Sequence, residues 1–149
     1  MGWVMFTAFD VYGIPKGQPR PRAFVNKKTG RARVYDGGEA EGWKGAIALA
    51  ARASLPPAPI DCPVRVAVSF YFPRPARLLR KKDPDGLIPH TAKPDSDNAA
   101  KAVLDCLTSI GMWRDDALVC SLVAEKHYAA RGQASGALIQ IFTFREDVA

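Results

Sequence analysis

Five aspartates, Asp95, Asp97, Asp105, Asp115 and Asp116, fall within 22 residues of an otherwise basic chain, with only Lys101 and Arg114 as cations among them. Carboxylate oxygens brought to one point form a hard donor set of the kind that holds Mg2+ or Mn2+. The chemistry such a set serves best is hydrolysis of a phosphodiester. That reaction needs an activated water, compensation for charge on the phosphorane oxygens and stabilisation of a leaving alkoxide, and a bound divalent ion contributes to each.

Spacing says how the carboxylates are placed. Pro94 steers Lys93 away from helical backbone, so the chain is expected to enter Asp95-Ser96-Asp97 extended, with Asp95 and Asp97 sharing one side. Ala99, Ala100, Val103, Leu104, Leu107 and Ile110 then recur at helical intervals and Gly111 offers a stop. On that helix Asp97, Lys101 and Asp105 are spaced i, i+4, i+8, which sets a cation beside the acidic pair. Asp115 and Asp116 head the apolar run from Ala117 to Val119, where the chain could return to the same place. Duller roles exist: Asp97 as a helix N-cap and Asp105 as a partner of Lys101. A calcium loop fails, because it would want an oxygen ligand at Ala99, glycine at Ala100 and glutamate at Cys106.

The string Lys93-Pro94-Asp95-x-Asp97-Asn98-x-x-Lys101-x-x-x-Asp105-x-Leu107, followed by Gly111-x-Trp113-x-Asp115-Asp116, closely resembles the signature of the RusA family of Holliday-junction resolvases. A looser likeness covers Gly13-x-Pro15-Lys16-x-Gln18-Pro19-Arg20-Pro21-Arg22, and between these blocks only the order of elements is similar. The resemblance implies a Mg2+-dependent endodeoxyribonuclease, with Mn2+ as a substitute, that cuts branched DNA as a homodimer. It implies Asp95, Asp97 and Asp116 as metal-binding residues and Lys101 as the catalytic-site lysine, with Asn98, Asp105 and Asp115 in support. On a strand Asp115 and Asp116 would face opposite ways, which puts Asp116 in the site and Asp115 near it. The chain departs from the family in its long basic loop before Lys93 and in Ala99, where a larger apolar residue is common. Two other readings share the residues: a less selective nuclease of flaps and branched DNA, and a binding module that keeps the fold without cleaving.

The cations suit a polyanionic partner. Lysine and arginine number 21 against 15 acidic residues, a formal charge of +6, and their clustering matters more than their total. Pro15, Pro19 and Pro21 impose an extended path on which Lys16, Gln18, Arg20 and Arg22 share one face, a stiff rail able to follow phosphates. Residues 73–93 add Arg74, Arg77, Arg80, Lys81, Lys82 and Lys93 against Asp83 and Asp85. Lys16, Arg20, Arg22, Arg74 and Lys93 are the expected DNA-binding residues. The bland alternative is a solvated loop, and for residues 73–93 the two readings weigh equally.

The elements that must position this chemistry are read from periodicity. Trp3 to Tyr12 has strand composition, Ala23 to Val25 and Arg31 to Tyr35 form a hairpin around a polar turn, and Gly38 to about Ser54 carries a helical apolar stripe through Trp43, Ile47 and Ala51. Val64 to Phe72 alternates as a central strand, and Leu118 to Tyr128 and Ala137 to Phe144 read as two more. The expectation is an α+β fold, a single domain over residues 1–149 with a mixed β-sheet of about four to five strands packed against two main helices. Three cysteines without a paired motif argue against a disulfide framework and a zinc site. His90 and His127 are isolated in sequence and read as structural or surface residues. No apolar run is long enough for a membrane span, so no membrane is expected and the location reads as cytoplasmic.

Overall fold

A computed structural model describes residues 1–19, 22–25, 27–35 and 40–146, with segments 22–25 and 32–35 as backbone. Its spine is β4 (Val64–Phe72), where alternation of apolar and polar residues produces alternating burial. Val64, Val66, Val68, Phe70 and Phe72 turn to one face and join the core cluster. β7 (Gly136–Arg145) pairs antiparallel on one side of β4 and β6 (Val119–Tyr128) pairs parallel on the other. Beyond β7 lies β1 (Gly2–Tyr12), and beyond β6 lies the two-residue β5 (Ile88–Pro89), giving a mixed five-stranded sheet in the order β1-β7-β4-β6-β5. The hairpin expected early in the chain forms a separate two-stranded sheet of β2 (Arg22–Val25) and β3 (Ala32–Tyr35).

Two helices join the core cluster from one side of the sheet. α1 (Glu41–Ala51) buries Trp43, Ile47 and Ala51, the stripe read from its sequence, and ends in a short 3-10 turn over Arg52–Ser54. α2 (Ser96–Ser109) buries Ala99, Ala100, Ala102, Val103, Cys106 and Leu107. Its small residues let the helix axis come close to its neighbours. Ala99 is fully buried, so the alanine at this position is part of a tight contact and a larger side chain here would need the core to give way. The fold is a single α+β domain. No helix among the described residues is long and apolar enough to cross a membrane.

The path between the parallel strands β4 and β6 fixes where the aspartates go. After β4 the chain runs through the basic loop, touches β6 at β5, enters α2, and turns at Gly111 with φ +86°, where glycine carries no side-chain penalty. Ile60 clasps that turn by accepting the Arg114 N–H and donating to the Met112 carbonyl. The Trp113 indole donates to Thr108 Oγ1 at 2.7 Å. The chain then re-enters the sheet as β6. α2 and β6 therefore run antiparallel, joined as a hairpin of unlike elements.

Candidate active site and nucleic-acid interface

The acidic pair stands at the start of α2. Asp95 is extended, with φ −64° and ψ 153°, and its carbonyl accepts the Ala99 N–H, so it occupies the N-cap position while its side chain makes no capping bond. Asp97 already lies in the first helical turn, so the extended path expected through Asp97 stops at Asp95. Both are exposed, and the unpaired N–H groups of the first turn favour negative charge there. Lys93 donates to both oxygens of Asp95 at 3.0 Å. Lys101 is exposed one turn along, and no ion pair joins it to Asp97 or to the half-buried Asp105 among the described residues.

Two pieces of the protein hold this turn in place, and neither was visible in sequence. The first is Lys126 on β6, whose ammonium donates to the carbonyls of Ala92 and Pro94, each at 2.8 Å. It thereby grips the backbone on both sides of Lys93. The second is the proline-rich segment. The Gln18 N–H donates to the Asn98 carbonyl at 3.1 Å, and Gly17 lies so close to Asn98 that an added Cβ would collide with its side-chain amide and press on Pro94. The segment that carries exposed Lys16 is thus docked on the first turn of α2. Arg20 and the side chain of Arg22 lie outside the described residues.

Behind the loop sits His90, buried, with its ring stacked on Phe72 at 3.9 Å and its N–H bonded to the Lys126 carbonyl. Its pKa lies below the ordinary value near 6.5, first because burial strips water from the charged form and then because the Lys126 ammonium repels it. This agrees with a structural histidine. Arg74 is committed inward: its guanidinium donates to the carbonyls of Ala129, Leu78 and Gly86 at 2.8, 3.0 and 2.6 Å.

Asp115 and Asp116 do not come back to the acidic pair. They follow the Gly111 turn at the far end of α2, whose 14 residues span roughly 20 Å at about 1.5 Å of rise each. Nor are they on a strand: Asp116–Leu118 is a 3-10 turn, capped by Asp115, which accepts the Ala117 N–H at 2.8 Å. That bond, and next the one with Asp116, hold the Asp115 carboxyl below its usual range. Among the described residues no three acidic, histidine or cysteine side chains are placed to hold a metal ion together. Asp95, Asp97 and Asp116 thus form no three-carboxylate site among the described residues of one chain.

The fold, the acidic first turn and the cationic segment docked on it now stand beside known proteins. The family model of endodeoxyribonuclease RusA matches residues 13–141. The chain belongs to the RusA family. An uncharacterized protein of Bacillus subtilis (strain 168), YqaN, is 33% identical over 126 residues, covering 81% of this chain and 87% of the relative. Membership makes the protein an endodeoxyribonuclease of the family that resolves Holliday junctions.

Two outcomes follow from the support beneath the site. Lys126→Met leaves two carbonyls without their shared cation, and a loss of about 1–3 kcal/mol is expected in chemical denaturation, with faster amide exchange confined to the segment around residues 92–98. For His90, the unfolded chain takes up a proton near pH 6.5 that the folded chain resists. Its contribution to stability is therefore full above that pH and is lost as pH falls through the lower folded value. The denaturation midpoint should drop as pH falls below about 6.5, and His90→Phe should remove that part of the drop.

Proposed function

We propose that the protein is a metal-dependent endonuclease that resolves Holliday junctions as a two-fold dimer, each site taking Asp95 and Asp97 from one copy and Asp116 from the other. The observation that carries the reading is an exposed acidic pair and Lys101 on the first turns of α2, with the Lys16 segment docked on the same turn. Carboxylates and phosphate-attracting cations meet at one edge.

The dimer is supported by β6. Its outer edge is paired at His127 and Tyr128 by β5 and at the Lys126 carbonyl by the His90 N–H, which leaves Val119 to Glu125 unpaired among the described residues. Leu122 and Val123, at the middle of that open stretch, are 44% and 48% exposed. Two such edges pairing antiparallel about a two-fold axis at Leu122 form an isologous contact. Antiparallel pairing carries the start of β6, with Asp116 just before it, to the far end of the other β6. There Lys126 grips the loop that ends in Asp95. The pairing that closes the edge thus also brings the third carboxylate. A four-way junction offers two symmetry-related strands, and a two-fold dimer presents two sites.

Three carboxylates suit Mg2+, with Mn2+ as a substitute. When bound, the ion supplies an activated water, charge neutralisation and leaving-group stabilisation. The chain's own residues do the rest. Asp95, Asp97 and Asp116 hold and orient. Lys101 places an ammonium beside them, to order the carboxylates or meet charge at the scissile phosphate. Lys16, Arg20, Arg22 and Lys93 draw the phosphate backbone to the site.

Asp95→Asn, Asp97→Asn and Asp116→Asn should each abolish cleavage of a labelled synthetic junction in Mg2+ while binding persists, since attraction to phosphates lies elsewhere. Full activity of Asp97→Asn would remove the site assignment. The shared site has a sharper test. Asp97→Asn and Asp116→Asn proteins, each inactive, are mixed under conditions that exchange subunits. A shared site predicts that half the sites in each mixed dimer are intact and cleavage returns. A site within one chain predicts none.

A further inference from the structure

We propose that the loop between β4 and α2 is a pre-ordered phosphate-binding edge, distinct from the proline-rich rail, on which Lys81 and Lys82 contact the backbone of a DNA arm. The proposal rests on the DNA-cleaving reading above and names a surface that reading leaves open. Between residues 74 and 85 five cations meet two anions. The structure sorts them.

Two arginines act as staples, Arg74 within the loop and Arg131 from outside it, while Arg77 and Arg80 stay exposed. Arg74 collects three carbonyls, from Leu78, Gly86 and Ala129. From the β6–β7 turn, Arg131 donates to the carbonyls of Leu79 at 3.4 Å, Asp83 at 3.0 Å and Arg80. It also pairs with Asp85 at 2.9 Å. Both anions are consumed in this frame. Asp83, with its side chain only 10% exposed, accepts the Arg80 N–H at 2.8 Å and meets the Arg80 guanidinium at 3.6 Å, and Asp85 is held by Arg131. Lys81 and Lys82 are exposed, with no ion pair among the described residues. What faces solvent is therefore mainly cationic, with the exposed Asp85 carboxylate held by Arg131, on backbone that is already fixed.

That arrangement fits a phosphate backbone for two reasons. An ordered loop has less freedom to lose on binding than a mobile one, and lysine ammonium groups on it serve as point charges for phosphates without sequence preference. The loop is also rooted where cleavage would occur, because β5 pairs with the end of β6 and Lys126 anchors residues 92 and 94. A mobile, solvated insertion would need neither arginine staple.

The test measures affinity of the full-length protein for labelled junction and plain duplex in EDTA across a salt series, by fluorescence anisotropy. Replacing Lys81 and Lys82 with Ala should lower the slope of log affinity against log salt by up to roughly 0.9 per lost contact, about 1.8 for the pair. Replacing both with Arg should keep the wild-type slope. An unchanged slope in the Ala pair overturns the proposal, as does an equal loss in the Arg pair, which would mean damage to the loop instead of loss of charge. Junction cleavage is read separately in Mg2+. No cleavage, with the slope loss present, overturns the function reading and leaves the phosphate edge standing.

Discussion

The chemistry of this protein depends on how firmly the few residues before α2 are held, and the Lys126 ammonium between two carbonyls is the interaction that holds them. A helix N-terminus attracts carboxylates, but it does not fix the chain that delivers them. Residues 90–95 lie at the end of a long loop, and their carbonyls would otherwise face water in many arrangements. One ammonium reaching two carbonyls across more than thirty residues of sequence converts that freedom into a defined approach to Asp95. Charged donors make the stronger hydrogen bonds. Gly17 and Gln18 press from the other side, so the first turn of α2 is fixed between a strand of the sheet and the segment that carries the cations.

The same hairpin of α2 and β6 that builds the core also divides the acidic residues. Ala99, Val103, Cys106 and Leu107 need a straight helix to reach the sheet-facing core, and a straight helix of this length carries its two ends far apart. No local adjustment brings Asp116 to Asp97 without unmaking that packing. No three such side chains converge among the described residues of one chain, so the proposed chemistry calls for a carboxylate from a second copy.

Much of this was legible in sequence, for reasons that can be named. Periodicity found β4, both helices and the closing strands, because apolar residues at spacing 2 or 3.6 must turn to one core. Pro94 and Asp95 marked the start of α2 correctly. The placement of Asp115 and Asp116 was misjudged, because spacing along a chain gives its direction only until the next turn, and the Gly111 turn lies a full helix away from Asp97. Arg74 read as a cation for DNA, yet it serves three carbonyls that only the folded loop assembles. Lys126 and Arg131 gave no signal at all. Each is an ordinary residue in a strand or turn, and its partners lie 32 to 52 residues away.

The open edge of β6 remains the feature that a lone chain explains least. Exposed strand edges are usually guarded by lysine, proline or a bulge, since unpaired N–H and C=O groups invite another strand. Here the middle of the edge is Leu122 and Val123, and proline is absent from β6. The lysine that could guard it, Lys126, has its ammonium turned to Ala92 and Pro94. β5 covers two residues, the His90 N–H takes the Lys126 carbonyl beside them, and the rest is left open among the described residues. Apart from one irregularity of register at Cys120, near its start, the edge is open about Leu122 and flanked at opposite ends by the two halves of the acidic set, which suits an isologous strand pairing. In the proposed dimer, closing the edge and completing the site are the same event, so a substitution that blocks pairing is expected to remove cleavage without touching a carboxylate.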